Sequence, residues 1–444
     1  MTAAIPRASL GENVRFTLTY LLPTMLRGSL IPLRFWTAAA IRFDNGRGVA
    51  TVERLTRRYG GRPVMLRGLN GQTLLVLAPE DVRRVLESPV STYAMNTGEK
   101  QRLFAEFAPD VLNCSPPELR GARRPFNEAV LDYGHEPHRL AERFLRVVNE
   151  EISAMLAAGG DLDYERSLSA FRRINRRCAF GDIAAHDTDL SEEHAQLRAD
   201  RDWLGLKFWK RGRDARLRAS MEARIERYAA AAEPGTLVSL FASAPIAPDT
   251  RPSGQAPFWL MALDAVRIAV FNALALLTTE RAAHERALAE VRAADAANGP
   301  GTVAGLAELG YVRACLLDAI RLWPAAALLV RVTAAETEWY GETLPVGSRV
   351  LIPVAAQHRA SRLPHANRFA PDHWLDGSAD ADWQMNVFSR GGAQCAGRNL
   401  ALVLGTAALA EMLRQREFAL LSPKLSPDAL PYGMNPLKVR FAVR

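Results

Sequence analysis

A long segment in the second half of the chain constrains the fold more than any other. From Phe258 to about Leu277 it has helical spacing and is apolar nearly all round. Such a helix would expose apolar side chains wherever it met water, so other elements must enclose it. Its two charged residues, Asp264 and Arg267, interrupt the run of about 18 apolar residues that a membrane span needs. The sequence therefore predicts a buried helix through the middle of the protein.

Helical periodicity dominates the chain from about Pro79 to Glu290 and returns from Gly310 to Trp323 and from Gly397 to Arg414. We find neither an internal repeat nor a linker long enough to divide the chain. We therefore predict a mainly α fold with small β subregions, built as one domain over residues 1–444, with residues 1–45 packing on it as an N-terminal extension. The predicted strands are short: Pro63–Leu66, Thr73–Leu77, Leu328–Val332, Val350–Pro353 and Val439–Val443.

Composition excludes several classes of protein. Of the 444 residues, 48% are apolar and 23% are charged, so a large core can form and wholesale disorder is excluded. Four widely spaced cysteines form neither a disulfide framework nor a paired-cysteine zinc site, so we expect reduced thiols in the cytoplasm. The net charge of +8 comes without the interleaved aromatic residues of a nucleic-acid surface. We expect no nucleic-acid binding, and basic helix faces that are solvated or dock an acidic protein.

The stretch from Phe16 to Ala40 is the nearest approach to a membrane-spanning segment near the start of the chain. Arg27 and Arg34 interrupt its apolar run, and Pro23 and Pro32 interrupt its helical pattern. A transmembrane segment is therefore not predicted. Peripheral contact of this stretch with a membrane remains an alternative.

The most informative short segment runs from Phe388 to Gly397 and reads Phe-Ser-Arg-Gly-Gly-Ala-Gln-Cys-Ala-Gly. Its cysteine, Cys395, stands just before a strong helix, where free backbone N–H groups and the helix dipole favour a thiolate. Gly391, Gly392 and Gly397 let a flat, bulky group approach the backbone, and Phe388 can pack against that group. A lone cysteine before a helix is usually a small core residue, but this spacing of Phe, Gly, Cys and Gly is much more specific.

At these residues the chain resembles the cytochrome P450 family, including its bacterial members. The resemblance implies the family's triangular haem-thiolate fold and haem b, iron protoporphyrin IX, as cofactor. It also implies that Cys395 is the axial, metal-binding ligand of the haem iron, with Phe388, Gly391 and Gly397 close to the haem.

Two further segments follow the family's order. Asp318-Ala-Ile-Arg321 resembles its Glu-x-x-Arg signature, and the segment Phe369 to Trp374 resembles the one whose arginine completes that ion-pair network. Both depart from the pattern, because Asp318 replaces the glutamate and His373 replaces the arginine. Aspartate is one methylene shorter, so we expect a weaker or rearranged network with a pH-sensitive His373.

The resemblance also suggests how haem propionates are held. Arg123 matches the arginine of the propionate-binding helix, where Leu119 replaces a frequent histidine, and Arg331 matches the second propionate arginine. Arginine suits this role because its planar fork meets carboxylates bidentately. Ala393 stands where the family usually has a third cation, and Arg390 is a candidate replacement.

The candidate catalytic positions lie on the central helix. An alignment without gaps places Met261 to Ala265 on the family's Ala-Gly-x-Asp/Glu-Thr pattern, so Asp264 keeps the acid while Ala265 replaces the alcohol. The missing hydroxyl removes the hydrogen bond that orients water over bound oxygen. Three alternatives follow: a substrate hydroxyl or a water replaces the threonine, peroxide drives the reaction, or the chemistry is non-oxidative, such as dehydration, rearrangement or nitrene-like transfer.

Arg267 has two interpretations. In the first, Arg267 has a purely structural role: a buried charge is costly unless it is paired, so Arg267 forms an ion pair with Asp264. The functional one is that Arg267 holds a substrate carboxylate, similar to fatty-acid peroxygenases, although Ile268 replaces the proline that follows their arginine.

By resemblance we expect an oxidoreductase, a monooxygenase of a small organic substrate in bacterial secondary metabolism. It would be a cytoplasmic monomer that receives electrons from a separate ferredoxin and reductase. A non-catalytic haem sensor is a further alternative.

Overall fold

The computed structural model describes residues 4–27, 36–68, 71–199 and 210–444. Most of these residues are helical and the strands are short, so the predicted mainly α fold with small β subregions is confirmed. The described α-helices are α1 (Leu10–Phe16), α2 (Leu22–Arg27), α3 (Trp36–Asp44), α4 (Arg47–Arg58), α5 (Pro79–Glu87), α6 (Gly98–Phe104), α7 (Pro117–Val130), α8 (Ala141–Ala157), α9 (Tyr164–Phe180), α10 (Thr188–Ala199), α11 (Arg211–Ala231), α12 (Ala256–Thr279), α13 (Arg281–Asn298), α14 (Val303–Ala307), α15 (Gly310–Leu322), α16 (Val354–His358), α17 (Asp372–Leu375), α18 (Ser378–Ala381) and α19 (Arg398–Gln415).

Nine short strands form one five-stranded sheet and two two-stranded antiparallel sheets in the described part of the chain. The larger sheet has the order β1-β2-β7-β4-β3, in which β2 and β7 are parallel and the other neighbours are antiparallel. In it Arg331 lies opposite Val350. The strands are β1 (Val64–Gly68), β2 (Gly71–Leu75), β3 (Tyr93–Ala94), β4 (Leu329–Thr333), β5 (Thr337–Trp339), β6 (Glu342–Leu344), β7 (Arg349–Ile352), β8 (Phe418–Ser422) and β9 (Arg440–Val443).

The central helix α12 is buried along most of its length, as predicted, and packs against α9, α15 and α19. With the turn before it, Ser253–Thr279 is long and apolar enough to cross a membrane by length and composition, but 72% of its most apolar window is buried inside the protein. Burial by neighbouring helices accounts for the apolar side chains on all of its faces.

Close packing of α15 against α19 depends on Gly405. A Cβ atom at this position would lie 2.5 Å from Leu316 Cδ2 and 3.4 Å from Val266 Cγ1. The absence of a side chain therefore lets α15, α12 and α19 meet at one point, directly beyond the segment that contains Cys395.

The N-terminal residues pack on the larger sheet and on α4. A π-helical turn, Thr17–Leu21, joins α1 to α2 into one continuous helical segment. Its buried side contributes Phe16 and Tyr20 to a cluster with Leu55. The Tyr20 hydroxyl donates a hydrogen bond of 2.6 Å to the carbonyl of Ala327, in the loop before β4.

Candidate active site

The segment Phe388–Gly397, which we term the cysteine loop, folds back on itself before α19 begins. The backbone N–H of Cys395 donates to the carbonyl of Phe388 (2.9 Å), and that of Gln394 donates to Gly391 (2.9 Å). Gly391 has a φ of +62°, and a Cβ there would lie 1.9 Å from the carbonyl oxygen of Leu86. Only glycine fits this position, because any side chain would collide with the end of α5.

Cys395 differs from the other three cysteines, which are buried. It is exposed, yet burial is the largest influence on its pKa and raises it. Its thiol therefore faces a space within the protein and not the outer surface. The backbone N–H of Gly397 and the charges of Arg124 and Arg398 act in the opposite direction and favour the thiolate.

Three cations, Lys100 on α6, Arg120 on α7 and Arg331 on β4, form what we term the basic cluster. Arg120 and Arg331 are each 2% exposed. Arg120 donates to the carbonyl of Gly392 (3.5 Å) and Arg331 to the hydroxyl of Ser389 (3.4 Å), so both reach the cysteine loop. Lys100 donates to the carbonyl of Val330, next to Arg331 (3.2 Å).

The basic cluster carries positive charge that no carboxylate neutralises by an ion pair among the described residues. Burial lowers the pKa of Lys100 to about 7, and the charges of Arg331 and Arg120 add to this effect. Burial also lowers the pKa values of Arg120 and Arg331 to about 10. Buried charges without a counterion are costly, so this cluster fits a site that binds an anion.

Beneath the cysteine loop, α15 carries a fully buried ion pair between Asp318 and Arg321. Arg321 binds both carboxylate oxygens, at 2.5 and 3.0 Å, and Asp318 also accepts from the N–H of Ala370 (2.8 Å) and of Trp374 (3.2 Å). Burial would raise the pKa of Asp318, but the charge and hydrogen bonds of Arg321 outweigh it and hold that pKa below its usual value. The shorter carboxylate thus still forms a bidentate pair.

His373 completes this network from α17. Its Nε2 atom lies 3.6 Å from the Asp318 carboxylate, and its ring stacks on His365 with centroids 4.3 Å apart. Burial lowers the pKa of His373, although Asp318 opposes that shift. The network is therefore rearranged around a neutral histidine, as the substitutions suggested.

On α12, the predicted positions divide between two faces. Phe258, Ala262, Ala265 and Ile268 are partly exposed on a helix that is otherwise buried, and their spacing of three or four residues places them along one side. A partly exposed apolar stripe inside a protein indicates that neighbouring elements leave a space beside it. Ala265 thus borders an interior space.

Asp264 and Arg267 lie on the buried side of α12 and do not form a direct ion pair. Asp264 instead binds Arg198 of α10 (2.8 Å) and accepts from Asn175 of α9 (3.3 Å). Arg267 donates to Ser167 (3.1 Å), and its guanidinium lies 4.3 Å from the centre of the Tyr164 ring. Burial lowers the pKa of Arg267, while Tyr164 and Asp264 raise it. Each charge therefore has its own partner on α9 or α10.

The family model for cytochrome P450 matches residues 262–439, a region that contains most of α12, the Asp318–Arg321 pair and the cysteine loop. The chain belongs to the cytochrome P450 family. Family membership implies a haem iron cofactor, for which the cysteine loop and the unpaired basic cluster offer a fitting set of groups.

Curated P450s share limited sequence with this one. It is 36% identical over 104 residues, 23% of each protein, to cyclooctat-9-en-7-ol 5-monooxygenase of Streptomyces melanosporofaciens. It is 33% identical over 140 residues, 31% of each protein, to pentalenene oxygenase of Streptomyces avermitilis. With methyltetrahydroprotoberberine 14-monooxygenase of Papaver somniferum, it is 25% identical over 194 residues, 41% of this chain and 37% of the relative. These alignments cover about a quarter to a third of the relatives' length.

In this P450, the structure brings together only some of the residues that the sequence singled out. Cys395, Phe388, Gly391 and Gly397 share the cysteine loop, and Arg331 reaches it. Arg390 does not join the basic cluster, because its guanidinium donates to the carbonyls of Ala379, Asp380, Asp382 and Met385.

Arg123 points away from the cysteine loop. Its guanidinium donates to Ser115 (2.8 Å) and to the carbonyl of Asp249 (3.2 Å), and it lies 3.5 Å from Asp110. Arg120 and Arg124, one helical turn apart, face the loop instead, and Arg124 donates to the carbonyl of Gln394 (2.7 Å). The sequence analysis missed Arg120 and Lys100. The spacing of two arginines four residues apart was the available signal for Arg120.

Proposed function

We propose that this P450 is a haem-thiolate monooxygenase in which Cys395 is the axial ligand of haem b. The position of the basic cluster carries the proposal. Arg120 and Arg331 contact the same loop that presents Cys395 to an interior space, and within the described part of the chain their positive charge has no carboxylate partner. Haem b supplies both an iron for the thiolate and two propionates for the cations.

Each group of the chain has a separate role in this proposal. Gly397, Arg124 and Arg398 favour the thiolate form of Cys395. Lys100, Arg120 and Arg331 hold the propionates, so Arg120 and Lys100 take the place that the sequence gave to Arg123. The role proposed for Arg123 is to fix α7 against Asp110 and Asp249.

The apolar stripe of α12 supports an apolar organic substrate. Phe258, Ala262, Ala265 and Ile268 carry no hydrogen-bonding side chain, so they exclude water and leave substrate specificity to shape. A thiolate-bound haem supplies the activation of dioxygen for insertion of one oxygen atom, with two electrons and two protons from outside. Two Streptomyces relatives are named as a monooxygenase and an oxygenase, which supports the same activity. The proposal places this activity in bacterial secondary metabolism and in the cytoplasm.

The electrons would come from a separate ferredoxin and reductase. A cavity behind the cysteine loop, lined partly by Phe388 and Gln394, is bordered by Arg313, Arg390 and Arg398. These cations suit an acidic electron carrier that docks close to Cys395.

The test is the carbon monoxide spectrum of the reduced protein. Cys395→Ser should abolish the long-wavelength band that thiolate ligation produces, because a serine hydroxyl does not replace the thiolate. Cys114→Ala, Cys178→Ala and Cys315→Ala are the controls and should keep the band, since these buried thiols are not part of the cysteine loop. An unchanged band in Cys395→Ser would refute the assignment.

Peroxide-driven oxygenation is the second candidate, and one observation favours it. Ala265 borders the interior space without a hydroxyl, while the carboxylate of Asp264 is held by Arg198 and Asn175 on another face of α12. The chain therefore lacks the acid–alcohol pair that orients protons toward bound oxygen.

Ala265→Thr distinguishes the two candidates. If dioxygen and a reductase drive the reaction, the added hydroxyl should raise the product formed per electron severalfold for poor substrates and reduce hydrogen peroxide release. If peroxide drives it, wild-type protein should form product at full rate with peroxide and no reductase. Product formed without either oxidant would instead indicate non-oxidative chemistry, and absence of turnover would indicate a haem sensor.

A further inference from the structure

An apolar stripe covers the outer side of the helical segment formed by α1, the π-helical turn and α2. Leu10, Val14, Leu18, Leu22 and Met25 recur every three or four residues and are between 41% and 67% exposed. The opposite side is buried against the protein. We term these five residues the N-terminal apolar stripe.

The clustering of these side chains is not repeated elsewhere in the described residues. Isolated apolar side chains on a surface need no explanation, whereas five in one line mark a surface for interaction. The other large apolar side chains that are exposed are scattered along the chain: Phe43, Ile183, Ile246, Val346, Leu375 and Leu421.

Positive charge flanks one edge of the stripe. Helix α4 runs antiparallel beside it, since Thr51 hydrogen bonds to Thr19 (2.9 Å) while Arg58 pairs with Glu12 (3.1 Å). Arg54 lies between those two contacts on the same face of α4, at three and four residues from them. Exposed Arg54 is therefore placed along the edge of the stripe.

Arg15, also exposed, lies on the same edge, between the helical positions of Glu12 and Thr19. Residues 4–27 and 36–62 contain nine arginines and three acidic residues. Each acid is already paired with an arginine: Glu12 with Arg58, Asp44 with Arg27, and Glu53 with Arg57. The surface around the stripe thus has a clear excess of positive charge.

We propose that the N-terminal apolar stripe binds the surface of an anionic lipid bilayer. The helical segment would lie parallel to the membrane, with the stripe at the level of the acyl chains and with Arg15 and Arg54 at the headgroups. A second copy of the chain fits less well, because a twofold contact through the stripe would bring the arginines of both copies together. This proposal is independent of the haem chemistry.

Flotation of the full-length, haem-loaded protein with lipid vesicles tests the proposal. We expect binding to vesicles of phosphatidylcholine and phosphatidylglycerol in equal parts, and much weaker binding to pure phosphatidylcholine. Leu18→Gln with Leu22→Gln should lower the partition coefficient about tenfold, because two apolar side chains leave the interface. Both positions are exposed, so the variant should keep its fold, which its haem spectrum checks.

The matched control is Ile246→Gln with Val346→Gln, which removes two exposed apolar side chains elsewhere and should bind like the wild type. Arg15→Gln with Arg54→Gln should weaken the preference for phosphatidylglycerol and reduce the dependence of binding on salt. Equal losses in the stripe variant and in the control would overturn the proposal. Absence of vesicle binding, with a dimer that dissociates in the stripe variant during sedimentation, would assign the stripe to a second copy instead.

Discussion

Asp318 and Arg321 on α15 are fully buried and bind each other through two hydrogen bonds, whereas Arg120 and Arg331 are almost as deeply buried and have no ion-pair partner among the described residues. The first pair is complete within the protein, and its charges sum to zero. The basic cluster needs negative charge from outside the chain. The difference shows which buried charges hold the fold and which prepare a binding site.

The largest expected effect follows from breaking the complete pair. Arg321→Ala leaves Asp318 as a buried carboxylate without its bidentate partner, so the free energy of unfolding should fall by about 3–5 kcal/mol. Urea titration followed by circular dichroism measures this. If the alanine variant fails to fold, Arg321→Lys, which keeps the charge, should fold with a smaller loss. A loss below about 1 kcal/mol in the alanine variant would show that this pair does not hold the fold.

Acid should destabilise the same region, because its histidines are held neutral. His358 is fully buried; its Nε2 accepts from the N–H of Asn386 (2.9 Å), and its Nδ1 lies 3.2 Å from the carbonyl oxygen of Arg321. Burial, with the charge of Arg321, lowers its pKa from 6.5 to about 3. Below pH 6.5 the unfolded chain therefore binds more protons than the folded one, and stability falls with pH until about pH 3.

For each such histidine the slope should rise as the pH falls from 7 and approach about 1.4 kcal/mol per pH unit near pH 5, where the unfolded histidine is almost fully protonated. Urea titrations at several pH values between 7 and 5 measure this slope. His358→Gln should remove the contribution of His358 to it. An identical slope in that variant would mean that folding does not lower the pKa of His358.

Loss of one charge from the basic cluster should stabilise the haem-free protein but weaken haem binding. Arg331→Met removes a buried charge without a counterion, so the haem-free protein should gain about 1–3 kcal/mol in unfolding free energy. The same change should weaken haem binding by about 1.5–3 kcal/mol, because a charge-assisted hydrogen bond to a propionate is lost. Haem transfer to apomyoglobin measures retention, with Arg331→Lys as the control that keeps the charge. Unchanged haem retention would remove Arg331 from the propionate site.

Asp264 and Arg198 form an intermediate case and should give the smallest effect. The carboxylate has two partners, but Nε and Nη1 of Arg198 have no hydrogen-bond partner among the described residues. A double-mutant cycle with Asp264→Asn and Arg198→Gln should give a coupling energy of about 1 kcal/mol, below that of the Asp318–Arg321 pair. A larger coupling energy would show that this pair holds the fold as the Asp318–Arg321 pair does.

Long elements with continuous apolar periodicity were predictable from the sequence. The final helix was expected from Gly397 to Arg414 and spans Arg398–Gln415, and β4 was expected from Leu328 to Val332 and spans Leu329–Thr333. The hairpin of β5 and β6 was missed, because strands of three residues are too short to show a period.

The details of the site depend on rotation and on distant contacts, which a motif does not specify. Residues three positions apart on a helix, such as Arg120 and Arg123, differ by only about 60° in direction, so a modest rotation of α7 decides which of them meets the cysteine loop. Lys100 reaches Val330, and Arg198 reaches Asp264, across long stretches of chain. Only the packing of whole elements determines these pairs.

The hydrogen bond from Tyr20 to Ala327 ties the first helical segment to the loop between α15 and β4. Ala325 and Ala326, just before the accepting carbonyl, are exposed although they follow directly on a buried helix. Removal of the first helical segment would thus take a brace away from the loop between α15 and β4 as well as a few surface residues.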